Sequence, residues 1–153
     1  ETETWSSLAS MSVDRLYHSG ALLLPDGRVM TAGSNPKRRV DELRIEIYRP
    51  PYLFRDPRPT IEDVQNSVTY GDSIDIATSE SPEIEEVVLI RQSSTTHCLN
   101  TDQRVVEVPI QSQSGGMVSA GIPDNPDLLP PGYYLVFILL DGVPSEGTFV
   151  NIS

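Results

Sequence analysis

Gly132-Tyr133-Tyr134-Leu135-Val136-Phe137-Ile138-Leu139-Leu140 is entered through Pro130-Pro131 and left through Asp141-Gly142. Aromatic and β-branched residues run on between a proline pair and a turn dipeptide, so Tyr133–Leu140 reads as a β-strand. The apolar run from Leu135 to Leu140 is far too short to cross a bilayer, which takes about 20 residues. Shorter runs of the same kind surround it. Ser73–Ala77 alternates, with Ile74 and Ile76 inward. Glu86–Arg91 is nearly continuous apolar, as a central strand would be. Val106, Val108 and Ile110 alternate, and Gly116–Ala120 and Phe149–Ile152 complete the set. Six or seven short antiparallel strands over about 95 residues match an immunoglobulin-like β-sandwich in size and rhythm. No window keeps apolar residues at helical spacing for three turns, so the chain is expected to be all-β.

Upstream, Ser19–Leu24 and Arg28–Ala32 flank Pro25-Asp26-Gly27. Proline presets φ for the first turn position and glycine tolerates positive φ, which predicts a hairpin. Arg44–Tyr48 is a third strand, with Ile45 and Ile47 on one face. Pro50, Pro51, Pro57 and Pro59 then cluster. Proline donates nothing to a sheet ladder, so this is a junction. The residues before it are about enough for one four-stranded propeller blade, and a propeller needs several. The chain therefore divides into a blade fragment, 1–52, and a sandwich, 53–153. The fragment is expected to be poorly ordered alone or to borrow contacts from a neighbour.

The chain has 153 residues and a formal net charge of −11, from 22 acidic and 11 basic side chains. Such a chain repels phosphate backbones and anionic lipid, which argues against nucleic acid and membrane partners. The Lys37-Arg38-Arg39 run reads as a solvated loop. A single cysteine, Cys98, rules out an internal disulfide. No signal segment opens the chain and Glu1 is not an initiator methionine, so the sequence is expected to come from something longer. Asn151-Ile152-Ser153 fits the N-glycosylation pattern.

Only two histidines occur, His18 and His97, one on each side of the proline junction. Neither has a His-x-x-x-His partner or a cysteine cluster, which argues against structural zinc. His18 lies in Arg15-Leu16-Tyr17-His18-Ser19, just before Leu22-Leu23-Leu24-Pro25-Asp26-Gly27-Arg28-Val29. His97 lies in Thr95-Thr96-His97-Cys98-Leu99-Asn100-Thr101-Asp102-Gln103-Arg104. Pro130-Pro131-Gly132-Tyr133-Tyr134 follows.

Taken together and in this order, these segments resemble the C-terminal part of the galactose oxidase and glyoxal oxidase family, the copper radical oxidases. The resemblance covers nearly the whole chain. It departs little: Ser34 stands where a double glycine before Asn-Pro is more usual, and Cys98 occupies a variable position. It implies the last strands of a Kelch-like propeller followed by an immunoglobulin-like early-set domain. It implies that Tyr17 is an axial phenol ligand of one copper ion and the catalytic base, and that His18 and His97 are imidazole ligands. The tyrosine cross-linked to a cysteine, which carries the radical, is expected outside this chain. The implied partners are the remainder of the propeller, O2, and a small alcohol, aldehyde or sugar. The implied location is secreted, periplasmic or cell-surface.

The residue types suit that chemistry. Imidazole suits copper, and Cu(II) favours a tetragonal N,O set with open positions. A phenol ligates well only when deprotonated, so it can take up a proton when substrate arrives. One objection is geometric: neighbours in a regular strand point to opposite faces. Tyr17 and His18 can share an ion only if the backbone at Leu16–Ser19 is a loop, bulge or strand entry.

The remaining conspicuous residues take plainer readings. Cys98 reads as a buried inert thiol. Asp102 and Arg104 read as a structural ion pair or loop cap. Trp5 and Met11 read as blade packing. Tyr133, Tyr134 and Phe137 read as sandwich core rather than a sugar-stacking platform. Two functions follow: part of a copper oxidase that supplies ligands but not the radical, or a non-catalytic early-set module that is structural or binds carbohydrate or protein. The sequence upstream discriminates between them.

Overall fold

The structure is a computed structural model and describes residues 4–97 and 99–153. Among these residues there is no α-helix, and the helical elements are two short 3-10 turns, Pro51–Phe54 and Ser81–Glu83. The chain begins with β1 (Ser19–Leu23), β2 (Val29–Gly33) and β3 (Glu46–Tyr48), an antiparallel sheet in that order. The β1–β2 turn forms as its residues dictate. Gly27 takes φ +84°, and Leu24 N–H donates to Arg28 O at 2.8 Å. The Asp26 carboxylate accepts from Arg28 N–H at 3.0 Å.

Past the prolines come β4 (Asp63–Val64), β5 (Ser67–Val68), β6 (Ser73–Ala77), β7 (Glu86–Arg91), β8 (Thr95–Thr96) and β9 (Leu99–Asn100). Then follow β10 (Arg104–Val108), β11 (Ile110–Ser114), β12 (Met117–Gly121), β13 (Gly132–Leu140), β14 (Val143–Pro144) and β15 (Thr148–Ile152). A six-stranded sheet runs β10-β7-β13-β15-β5, with β14 pairing back onto β13. A four-stranded sheet runs β11-β12-β6-β4, and β8 and β9 form a separate small hairpin. The pairing is antiparallel throughout these sheets except for β15 with β5, which is parallel. The Val106–Val108–Ile110 alternation is not one strand. Pro109 has no N–H to extend the ladder, so β10 ends on the large sheet and β11 starts on the small one.

The two sheets close over one core. Ile74, Ile76, Val118 and Ala120 meet Val87, Leu89, Val106, Tyr134, Val136 and Ile138. Tyr134 is fully buried, and its hydroxyl donates to Pro130 O at 2.7 Å, so the phenol carries no unmet polar group. This is an immunoglobulin-like sandwich.

The other face of β13 is buried too. Leu135 and Phe137 lie there with Val88 of β7. Leu23, Gly27 and Tyr52 line a cleft with Val88, Phe137 and Leu139, so the hairpin and the proline junction cover the outer face of the large sheet. The first three strands thus borrow their packing from the sandwich. Tyr133 points to this same outer face but beyond the hairpin's reach, and it is 67% exposed rather than core. Trp5, fully exposed, and Met11, half exposed, do not pack in the blade, and Ile45 and Ile47 are exposed as well. Among the described residues nothing buries these side chains.

Polar contacts lock the hairpin down. The Arg58 guanidinium donates to Asp26 O at 2.8 Å, Pro144 O at 2.9 Å and Ser145 O at 3.0 Å. Gly147 N–H donates to Pro25 O at 2.7 Å, and the Tyr52 hydroxyl donates to Gly27 O at 2.6 Å. Arg58→Met keeps the aliphatic stem and removes these three charge-assisted bonds. Its expected cost is about 2–4 kcal/mol in urea denaturation, with earlier proteolytic cleavage before β3.

Candidate metal centre

Tyr17 and His18 sit just before β1, where a regular strand would splay them apart. The backbone there is a tight turn instead. Ser19 N–H donates to Leu16 O at 3.3 Å, and Ser19 Oγ donates to the same oxygen at 2.7 Å. His18 takes φ +59°, a left-handed step in which histidine is among the more tolerated side chains. That step brings the two rings onto one side. Their centroids lie 4.0 Å apart, edge to face at 68°.

His97 reaches the same place from the sandwich. Thr96 pairs with Leu99, so His97 is the first residue of a two-residue hairpin loop, and its φ is +52°. Two-residue loops favour positive φ because their twist then matches the strands. The expectation of an inert buried thiol at Cys98 lies outside the described residues. Thr96 Oγ1 is 2.9 Å from His97 Nδ1, a hydrogen bond that orients the ring. The His97 centroid is 5.1 Å from that of His18 and 6.3 Å from that of Tyr17. All three rings are exposed, Tyr17 by 54%.

Two close approaches bring the rings together. A Cβ on Gly20 of β1 would lie 3.4 Å from the Thr95 methyl, so β1 and the β8–β9 hairpin are in van der Waals contact. Gly33 of β2, at φ +74°, leaves no room at all: a Cβ there would sit 2.4 Å from the His18 carbonyl oxygen. Behind His97 the loop is braced. Thr101 N–H and Oγ1 both donate to Ser94 O at 3.1 Å, and Asn100 Nδ2 donates to Gln103 Oε1 at 3.0 Å. Asp102 pairs with Arg91 at 3.2 Å, not with Arg104. Arg104 instead donates to the carbonyls of Asp127 and Leu128, so both residues brace the loop through different partners.

Two imidazoles and a phenol are a donor set that suits Cu(II). Among the described residues there is no group of three or more His, Cys, Asp or Glu that could hold a metal, so the candidate donors here are the two imidazoles and the phenol. The sequence reading missed the supports: Gly33, Ser34 and Thr96. Positive-φ geometry at a glycine beside Asn-Pro was the available signal for the first two.

The fold and the meeting of these loops define an early-set β-sandwich that carries histidine on a projecting hairpin. Residues 58–152 match the family model described as galactose oxidase-like, early set domain. The chain belongs to that family. It is 35% identical over 164 residues to the aldehyde oxidase GLOX of Vitis pseudoreticulata, covering 95% of this chain and 31% of that protein. It is 32% identical over 162 residues to galactose oxidase of Gibberella zeae, covering 100% of this chain and 24% of that protein. Among solved structures it resembles a fungal alcohol oxidase of the AA5 family in complex with copper. The TM-score is 0.83 at 28% identity, covering 95% of this chain and 32% of the other. The chain therefore spans a third or less of the length of the proteins it matches.

Gly33→Ala tests the close approach. The new methyl must push the His18 carbonyl away at a φ that L-residues resist, at an expected cost of about 2–3 kcal/mol. Urea denaturation reads the cost, and loss of nuclear Overhauser contact between the His18 and His97 rings reads the displacement.

Proposed function

We propose that this chain is the C-terminal part of a copper radical oxidase that oxidises an alcohol or aldehyde with O2 and releases H2O2. The observation that carries the reading is the meeting of Tyr17, His18 and His97, with centroids 4.0, 5.1 and 6.3 Å apart, from sites 79 residues apart in the sequence. A shared donor set explains why a turn and a hairpin loop each hold a histidine in left-handed backbone at one point. The similarity to an aldehyde oxidase, a galactose oxidase and a copper-bound alcohol oxidase supports it.

In this reading His18 and His97 would hold one copper ion through imidazole nitrogen, and Tyr17 Oη would ligate the same ion. Bound copper would supply one-electron redox capacity and polarise the substrate oxygen. Tyr17 Oη accepts the hydroxyl proton of an incoming alcohol, which makes the alcohol a better electron donor. An alcohol then loses two electrons and two protons to become an aldehyde, and O2 takes up both pairs as H2O2. The second electron needs the cross-linked Cys-Tyr radical, which belongs to earlier blades outside this chain. Residues 1–52 are the last blade fragment of a Kelch-like propeller, and 53–153 are the early-set domain. Exposed Trp5, Leu8, Leu43 and Ile45 support this, because they are the apolar faces that neighbouring blades would cover. The parent protein is secreted, periplasmic or cell-surface, and its substrate is a small alcohol, aldehyde or sugar.

The test uses the full-length parent. One copper per chain is expected, and His18→Ala and His97→Ala should each lose it. Tyr17→Phe should keep the metal and lose about 100-fold or more in turnover. A parent that binds no copper and forms no H2O2 from any alcohol or aldehyde sinks the proposal and leaves a non-catalytic early-set module. The present chain alone should bind copper weakly and not turn over, because part of its site is missing and its ligands stand unsupported on one side.

A further inference from the structure

The segment after β2 lies along the Tyr17–His18 turn residue by residue. Ser34 Oγ accepts from Leu16 N–H at 2.8 Å, and Asn35 N–H donates to Tyr17 O at 2.7 Å. Gly33 Cα abuts the His18 carbonyl, and Arg15 Nη1 donates to Gly33 O at 2.7 Å. Three consecutive residues thus grip three consecutive residues. The middle one is out of place by ordinary backbone rules. Ser34 is buried, at 4% exposure, and has φ +145°, a region that glycine enters freely and other L-residues resist. Its own carbonyl is pinned from outside by Glu42 N–H at 2.8 Å.

Where the resembled family more usually has glycine, this chain carries a side chain that strains the backbone and adds a hydroxyl. Its hydroxyl supplies one thing: an acceptor for the amide just ahead of Tyr17. We propose that Ser34 is a positioning residue, whose hydroxyl sets the orientation of the Tyr17–His18 pair relative to His97. The part that concerns copper rests on the metal centre proposed above. The part that concerns ring geometry does not.

A merely structural role and a positioning role predict opposite results for one variant. Ser34→Gly relieves the backbone and removes the hydroxyl, whereas Ser34→Ala removes the hydroxyl and keeps the strain. If Ser34 serves folding only, Ser34→Gly is neutral or stabilising in every readout. If it positions the turn, Ser34→Gly keeps or raises the thermal midpoint, yet the Leu16 amide exchanges at least about tenfold faster. The Overhauser contacts among the rings of Tyr17, His18 and His97 weaken with it. Ser34→Ala should show the same loosening with a lower midpoint, and if it does not fold, Ser34→Gly decides alone. Measured on the metal-free chain, unchanged Leu16 protection and unchanged ring contacts in Ser34→Gly overturn the proposal. In the full-length parent, Ser34→Gly should bind Cu(II) about tenfold more weakly with an altered electron paramagnetic resonance spectrum. If the unsubstituted parent binds no copper, the metal reading fails, while exchange and ring contacts still decide the role of Ser34.

Discussion

Arg58 bonds to both halves of the chain at once, and the arrangement of the candidate site depends on that bridge. Its guanidinium reaches the carbonyl of Asp26 in the hairpin turn and those of Pro144 and Ser145 in the sandwich. Backbone carbonyls at a turn have no ladder partner, so a buried interface there needs donors, and a forked cation supplies several. With the turn fixed, Leu23 of β1 and Gly27 of the turn line a cleft with Val88 and Phe137 on the outer face of the large sheet. Phe137 itself is confined: a Cβ on Gly147 would lie within 3 Å of its ring, so the loop between β14 and β15 packs against it. The hairpin therefore has one seat, and His18, at its open end, has one place to stand relative to the loop that carries His97.

Much of this was legible in the sequence because the physics is local. Ile74 and Ile76 alternate inward, Glu86–Arg91 runs apolar through the middle of a sheet, and Pro-Asp-Gly turns a hairpin. What failed was non-local. Tyr133 resembles Tyr134 in type and neighbourhood, yet one is exposed and the other sealed. Tyr134 points into the core between the sheets and Tyr133 to the outer face, where it stays exposed. Trp5 and Met11 read as packed because large apolar residues usually are, but among the described residues nothing buries them. At Pro109 a clean alternation crossed from one sheet to another, because side-chain period two is blind to which ladder a strand joins.

The site was legible in its residue types and not in its supports. His18 and His97 draw attention as the two histidines, and Tyr17 only through the resemblance of Arg15–Ser19 to the copper radical oxidases. Gly33, Ser34 and Thr96 act through a close approach, a strained φ and a ring hydrogen bond, and none of these has a composition signal. Adjacency of Tyr17 and His18 was itself informative, since it forced an irregular backbone at Leu16–Ser19, and the turn found there has that character.

Both histidines sit in left-handed backbone on exposed segments, an arrangement that costs stability and that solvent does nothing to hold. It persists because each segment is braced from behind, the first by Gly33, Ser34 and Asn35, the second by the Ser94–Thr101 and Asn100–Gln103 bonds. The bracing is asymmetric. Both segments are fastened to this chain from behind, while the rings of Tyr17, His18 and His97 stand exposed. Braced backbone with exposed rings is what the proposed shared site would require: geometry set in advance, with the covering supplied by the proposed earlier blades.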